Sequence, residues 1–166
     1  HMLRVDEEVL EPISELDSKD LINRVKNIIS TKKIDVVIFE DYDKGLLNAD
    51  NIQAIVHLLN EKNIPSCVDP KKDNFQNYQG PTLFKPNFKE FTSGLKEDIE
   101  KGDIKSLMEH AEKFSKSNNI ENVMVTLSEH GVMLYNPKIQ SHIPAEIRNI
   151  SDVSGAGDTV ISTAAL

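Results

Sequence analysis

Short β-branched runs alternate with stretches of helical periodicity along this chain, and that alternation restricts the fold more than any other feature. Ile34-Asp35-Val36-Val37-Ile38-Phe39 has the length and branching of a buried parallel strand. Ile52, Ile55, Val56 and Leu59 follow at spacings that share one helix face, and Asn63-Ile64-Pro65 then returns the chain to a strand over Ser66 to Asp69. Strand, crossover helix and strand make a βαβ unit, a connection that joins parallel strands. Thr82 to Lys85 reads as a further brief strand ended by Pro86, and Ile104, Leu107, Met108, Ala111 and Phe114 define another one-sided helix. Val123 to Leu127, a turn at Glu129-His130-Gly131 and Val132 to Tyr135 read as two neighbouring strands. Before all of these, Leu21, Ile22, Val25, Ile28 and Ile29 repeat at helical spacing behind Asp17-Ser18, either of which can serve as N-cap. The fold class is α/β, a mostly parallel sheet in three layers with helices on both faces. Gly94 to Asp103, with its charges and two glycines, reads as a surface connection.

Composition removes several classes of function. The 166 residues carry 27 acidic and 19 basic side chains, a net charge of -8, which argues against a nucleic-acid footprint and against anionic membrane surfaces. The single cysteine, Cys67, lies in the apolar run Ile64 to Val68, so no intrachain disulfide can form and a packing role is expected. No stretch has the length of apolar sequence that a membrane helix needs, and no signal-peptide pattern opens the chain, so a cytoplasmic protein is expected. His1-Met2 reads as a vector scar, and Ala164-Ala165-Leu166 ends the chain inside a helical pattern, as though cut there.

Chemistry concentrates in Asp152-Val153-Ser154-Gly155-Ala156-Gly157-Asp158-Thr159-Val160, a small-residue loop that runs into the apolar helix Val160 to Leu166. Bare backbone lets a ligand approach, and amides at a helix start carry unpaired donors at the positive end of the dipole. Gly155, Ala156 and Gly157 can therefore cradle a transferring phosphoryl group while the Asp158 carboxylate takes a proton from an attacking hydroxyl. The same residues also suit a plain glycine-rich turn in which Asp158 only favours the helix start. No Lys-Ser or Lys-Thr pair follows the glycines, so the segment is not a P-loop.

Asn87 and Glu90 are open to two readings in the same way. Three apart after Pro86, they fit a capping box, and they also fit a pair of groups that hold magnesium through water. Thr126 and Ser128 end an apolar strand, where hydroxyls either meet a ligand or form a turn. Lys44, Lys71 and Lys72 follow strand ends near Asp41 and Asp69 and can neutralise phosphate or remain solvated, and Asp69 can orient Lys71 or help to place a metal ion. His57 reads as a packing or surface residue and His130 as a solvated turn residue.

Asp152 to Asp158 resembles the C-terminal signature of the ribokinase-like (PfkB) carbohydrate kinases, in which the glycines form an anion hole and the last aspartate is the base. Pro86-Asn87-Phe88-Lys89-Glu90 resembles that family's Asn-x-x-Glu element, and Thr126-Leu127-Ser128-Glu129-His130-Gly131 resembles its nucleotide-binding strand and turn, in the same order along the chain. The family often has glycine where Ser128 stands. Asp41-Tyr42-Asp43-Lys44-Gly45, Val68-Asp69-Pro70-Lys71 and Phe75 to Asn87 are similar to the heptose 7-phosphate kinases of lipopolysaccharide precursor synthesis.

The resemblance runs from about Ile34 to the end and implies the C-terminal, nucleotide-binding part of a Rossmann-like kinase domain over 34–166, preceded by a lead-in helix within 1–33. It leaves the family's N-terminal half, with its sugar lid, unmatched. It implies ATP and Mg2+ as cofactors, Asp158, Gly155, Ala156 and Gly157 as catalytic residues, Asn87 and Glu90 at the metal, and Asn87, Glu90, Thr126, Ser128 and Gly131 at the nucleotide. Lys44, Lys71 and Asp69 are the candidates for the phosphate of a phosphosugar substrate. Alternatives are another acceptor (ribose, a fructose phosphate, a nucleoside, pyridoxal) or a folded nucleotide-binding fragment without turnover. An open sheet edge would favour homo-oligomers.

Overall fold

The computed structural model describes residues 10–146 and 155–166. Asp152, Val153 and Ser154 of the small-residue segment lie outside the described residues. The elements run α1 (Glu15–Thr31), β1 (Val37–Glu40), α2 (Ala49–Glu61), β2 (Ser66–Asp69), β3 (Leu83–Phe84), α3 (Phe88–Leu95), α4 (Ile104–Asn118), β4 (Asn122–Thr126), a 3-10 turn (Ser128–His130), β5 (Val132–Asn136), β6 (Ile139–Ile143) and α5 (Ala156–Ala164). Among the described residues six strands lie side by side in chain order; β1 to β4 are parallel, and β5 and β6 are antiparallel. This is the α/β class expected from the alternation of elements.

Side-chain alternation sorts the sheet into two faces. Phe39, Val68, Phe84, Val123, Val125, Met133 and Tyr135 point one way, into a core shared with α1, α2, α3 and α4. There Phe75, Phe84 and Phe114 pack with ring centroids 5.1 to 5.2 Å apart, the spacing of favourable aromatic pairs. The opposite face presents Ile38, Cys67, Leu83 and Met124 to Ile161 of α5. Cys67 is buried there, and burial pushes its thiol pKa up, so it serves packing.

Several boundaries differ from the sequence expectation for identifiable reasons. α1 is capped by Ser14, not by Asp17 or Ser18. Ser14 Oγ accepts from the Asp17 amide at 3.1 Å and donates to the Asp17 carboxylate at 2.6 Å, which places Asp17 at the third helical position. β1 starts at Val37 because its partner β2 begins only at Ser66, leaving Ile34 to Val36 without a ladder. Gly94 belongs to α3 and not to a loop: a Cβ there would come within 2.3 Å of the Phe75 ring, so packing selects this glycine. α5 begins at Ala156, four residues before the expected start. β6 was not anticipated; its pattern is almost uniformly exposed, so no apolar alternation marks Ile139 to Ile143 as a strand.

Candidate functional site

The site is the polar continuation of the face that α5 covers. Each strand of that face carries an apolar residue and then, two positions on, a polar one at or just beyond the strand's carboxyl end. Ile38 leads to Glu40, Cys67 to Asp69, Leu83 to Lys85 and Met124 to Thr126. Period two sends each pair to the same side, so polar side chains gather where parallel strands end. α5 repeats the order, with Ile161 on Cys67 and Leu83 and Gly157, one turn earlier, over Asp69 and Lys85. A Cβ on Gly157 would stand 3.5 Å from Asp69 Oδ2 and 3.7 Å from Lys85 Nζ.

Asp158 follows in the same first turn. Carboxylate oxygens of Glu40, Asp69 and Asp158 lie within 4.8 Å of one another. Asp69 is bound from below by Lys85, whose Nζ is 3.0 Å from Oδ2, and the Lys85 side chain is only 2% exposed. Lys71 Nζ stands 3.9 Å from Asp69 Oδ1 and 2.6 Å from Glu90 Oε1. Burial, then the charges of Asp69 and Asp158, raise the Glu40 pKa against the opposing pull of Lys85 and Lys71. Burial works against the Lys71 charge, yet its bond to Glu90 and the nearby carboxylates prevail and its pKa is raised.

Asn87 and Glu90 form the capping box of α3: Asn87 Oδ1 accepts from the Glu90 amide and Glu90 Oε2 from the Asn87 amide, each at 2.8 Å. The remaining Glu90 oxygen takes Lys71, so the box is tied to the carboxylate set through one lysine. Asn87 is bridged to Thr126 across the strand ends, which brings the Asn-x-x-Glu element and the end of β4 side by side. Ser128 is exposed with φ 53° in the 3-10 turn. Gly131 has φ 88°, and a Cβ there would fall 2.0 Å from the Ile143 carbonyl oxygen, so the close passage of β6 requires glycine.

Asp41 anchors the loop after β1. It is buried; Oδ2 accepts from Tyr78 Oη at 2.9 Å and from Asn74 Nδ2 at 3.0 Å, and Oδ1 accepts from the Asp43 amide at 2.9 Å. Burial and the adjacent Asp41 charge push the Tyr78 hydroxyl pKa far up. Lys44 is exposed on that anchored loop and Lys72 is exposed after β2. His57 is a surface residue 3.2 Å from Glu61, and His130 is exposed in the turn.

Asp158, Gly157, Asp69, Lys71, Asn87 and Glu90 are marked in the sequence by their spacing and neighbours, whereas Glu40 and Lys85 are not. Their signal lies in the two-residue alternation, followed one step past the last apolar residue of each strand.

Comparison with known proteins gives the family of the chain. The profile of the pfkB family carbohydrate kinases matches residues 8–165, and the chain belongs to that family. Among curated relatives, the bifunctional protein HldE of Syntrophotalea carbinolica is 35% identical over 166 residues, covering 99% of this chain and 33% of its own length. That of Aeromonas salmonicida is 36% identical over 168 residues, with the same coverage. The chain thus spans about a third of the curated relatives it matches. Among solved structures, the tetrameric inhibited form of phosphofructokinase-2 from Escherichia coli superposes with a TM-score of 0.79 at 15% identity, over 93% of this chain and 50% of that one. Ribokinase from Thermotoga maritima superposes at 0.59 with 23% identity, over 87% and 45%. These likenesses show a ribokinase-like fold. Among the described residues no helix is long and apolar enough to cross a membrane.

Proposed function

We propose that the full-length protein transfers the γ-phosphoryl group of ATP to a hydroxyl of a phosphosugar, with Asp158 as the base. The observation that carries this reading is the position of Asp158 in the first turn of α5, beside the bare backbone of Gly155 to Gly157 and above the carboxyl ends of β1 and β2. Amides at that helix start favour the charge on a moving phosphoryl group, and Asp158 is placed to take the proton of the attacking hydroxyl. Thr126, Ser128 and Gly131, with Asn87, belong to the nucleotide side; Lys44 and Lys71 belong to the phosphate of the acceptor. The acceptor we favour is the anomeric hydroxyl of a heptose 7-phosphate, supported by the similarity of Asp41 to Gly45, Val68 to Lys71 and Phe75 to Asn87 to kinases of that substrate, which would place the protein in lipopolysaccharide precursor synthesis in the cytoplasm.

Magnesium fits the residues present. Glu40, Asp69 and Asp158 offer hard oxygen donors close together, whereas Glu90 has both oxygens engaged and would reach a cation through water, with Asn87 beside it. The ion would offset repulsion between phosphates.

ADP formation by the full-length protein, measured with ATP and a panel of sugars and phosphosugars, tests the proposal. ADP that appears only with a phosphosugar, most rapidly with heptose 7-phosphate, supports it. Turnover with no acceptor in the panel overturns the kinase reading, and a faster unphosphorylated sugar overturns the substrate class.

A further inference from the structure

Lys85 has no part in the transfer described above, yet it is among the most deeply buried side chains of the molecule. A lysine at 2% exposure is unusual unless something holds its charge. Its partner is Asp69, itself 8% exposed, and its ammonium lies 3.7 Å from where a Gly157 Cβ would stand, directly beneath the first turn of α5. Three carboxylates whose oxygens lie within 4.8 Å repel one another, and a cation among them decides where each comes to rest. Lys71 is bound to Glu90 at 2.6 Å and stands farther from Asp69, at 3.9 Å, so Lys85 is the cation that bonds the set directly.

We propose that Lys85 is a positioning residue of the phosphoryl-transfer site: its buried ammonium holds the Asp69 carboxylate toward α5 and so fixes the spacing of Glu40, Asp69 and Asp158. The proposal rests on the kinase reading above. Lys85 acts through Asp69. Without it Asp69 turns to the nearest remaining cation, Lys71, and draws that side chain off Glu90, so the carboxylates and the α3 capping box shift together.

A double-mutant cycle in the full-length protein tests this, with ATP and heptose 7-phosphate as substrates. Lys85→Met is expected to lower kcat by about a hundredfold, the cost of an ångström-scale misplacement, with KM for ATP little changed. In an Asp69→Asn background the same change should cost about twofold or less, because the residue it acts through is already altered. An equal loss in both backgrounds, or no loss in either, overturns the proposal. Crystal structures of Lys85→Met and the parent give a readout independent of activity. Asp69 displaced from Glu40 and Asp158 supports the assignment, and unchanged carboxylates refute it even if the protein proves not to be a kinase. Lys85→Gln, which keeps a donor without the charge, replaces Lys85→Met in both measurements should the latter not fold. Failure of the kinase reading shows separately, as a parent protein without ADP formation.

Discussion

Glu40 and Asp69 are register partners at the carboxyl ends of β1 and β2, and both side chains turn toward Asp158. Burial and these like charges make the folded protein hold the Glu40 proton more tightly than the unfolded chain, in which it leaves near 4.5. The stability that Glu40 contributes is therefore fully present below that value and is lost as pH rises through the higher folded midpoint. Glu40→Gln should raise the thermal midpoint at neutral pH in the absence of divalent cations, and the gain should fade as the pH is lowered toward 4.5. Unfolding scans across that range check the sign; a variant less stable than the parent at neutral pH contradicts it.

Asp158→Asn removes the proposed base and leaves the size of the side chain. In the full-length protein kcat should fall by about a hundred- to ten-thousand-fold while KM for ATP stays close to the parent value. Steady-state kinetics with both substrates varied separates the two effects.

Gly94 and Gly157 are both helical glycines with opposite surroundings. Gly94→Ala drives a methyl group into the Phe75 ring and should cost about 1–3 kcal/mol in urea unfolding. Gly157→Ala finds ordinary contact distances and should be neutral or more stable by about 0.5–1 kcal/mol. Its methyl group would nevertheless narrow the proposed phosphoryl cradle, and turnover of the full-length protein should fall roughly a hundredfold, comparable to the loss of one oxyanion donor.

Tyr78→Phe keeps the ring packed against Phe39 and Phe84 and removes one donor to the buried Asp41 carboxylate. A loss of about 1.5–3 kcal/mol is expected, the scale of a hydrogen bond to a charged group. An unchanged unfolding midpoint would mean that Asn74 and the Asp43 amide suffice to hold Asp41.

Where burial is one-sided the sequence reports it. Val68 and Cys67 face opposite cores, and runs such as Ser66 to Asp69 therefore stand out as strands. β6 has no such contrast, and its place is decided by pairing to β5 and by the glycine at 131 that lets it pass. Asp158 and the Asn87/Glu90 pair were legible because small residues and fixed spacings mark them. Glu40 and Lys85 were not, since a single charged residue at a strand end looks like a solvated terminus until neighbouring strands bring it beside others. Ser14 does not stand out as a cap because the first buried position of α1 is the polar Ser18, so the apolar stripe begins only at Leu21.

The strands of the sheet follow chain order, each pairing with the next, whereas α5 returns from the far end of the chain to lie on β2. A sheet of this kind can zip up from near neighbours, and only the last step requires a long loop to close. The two sides of the carboxylate set, Asp69 on one and Asp158 on the other, therefore meet at the close of folding. They also part first when the molecule loosens. Assembly of this carboxylate set is therefore a late and easily reversed event, and mild stress can open it while the greater part of the sheet remains intact.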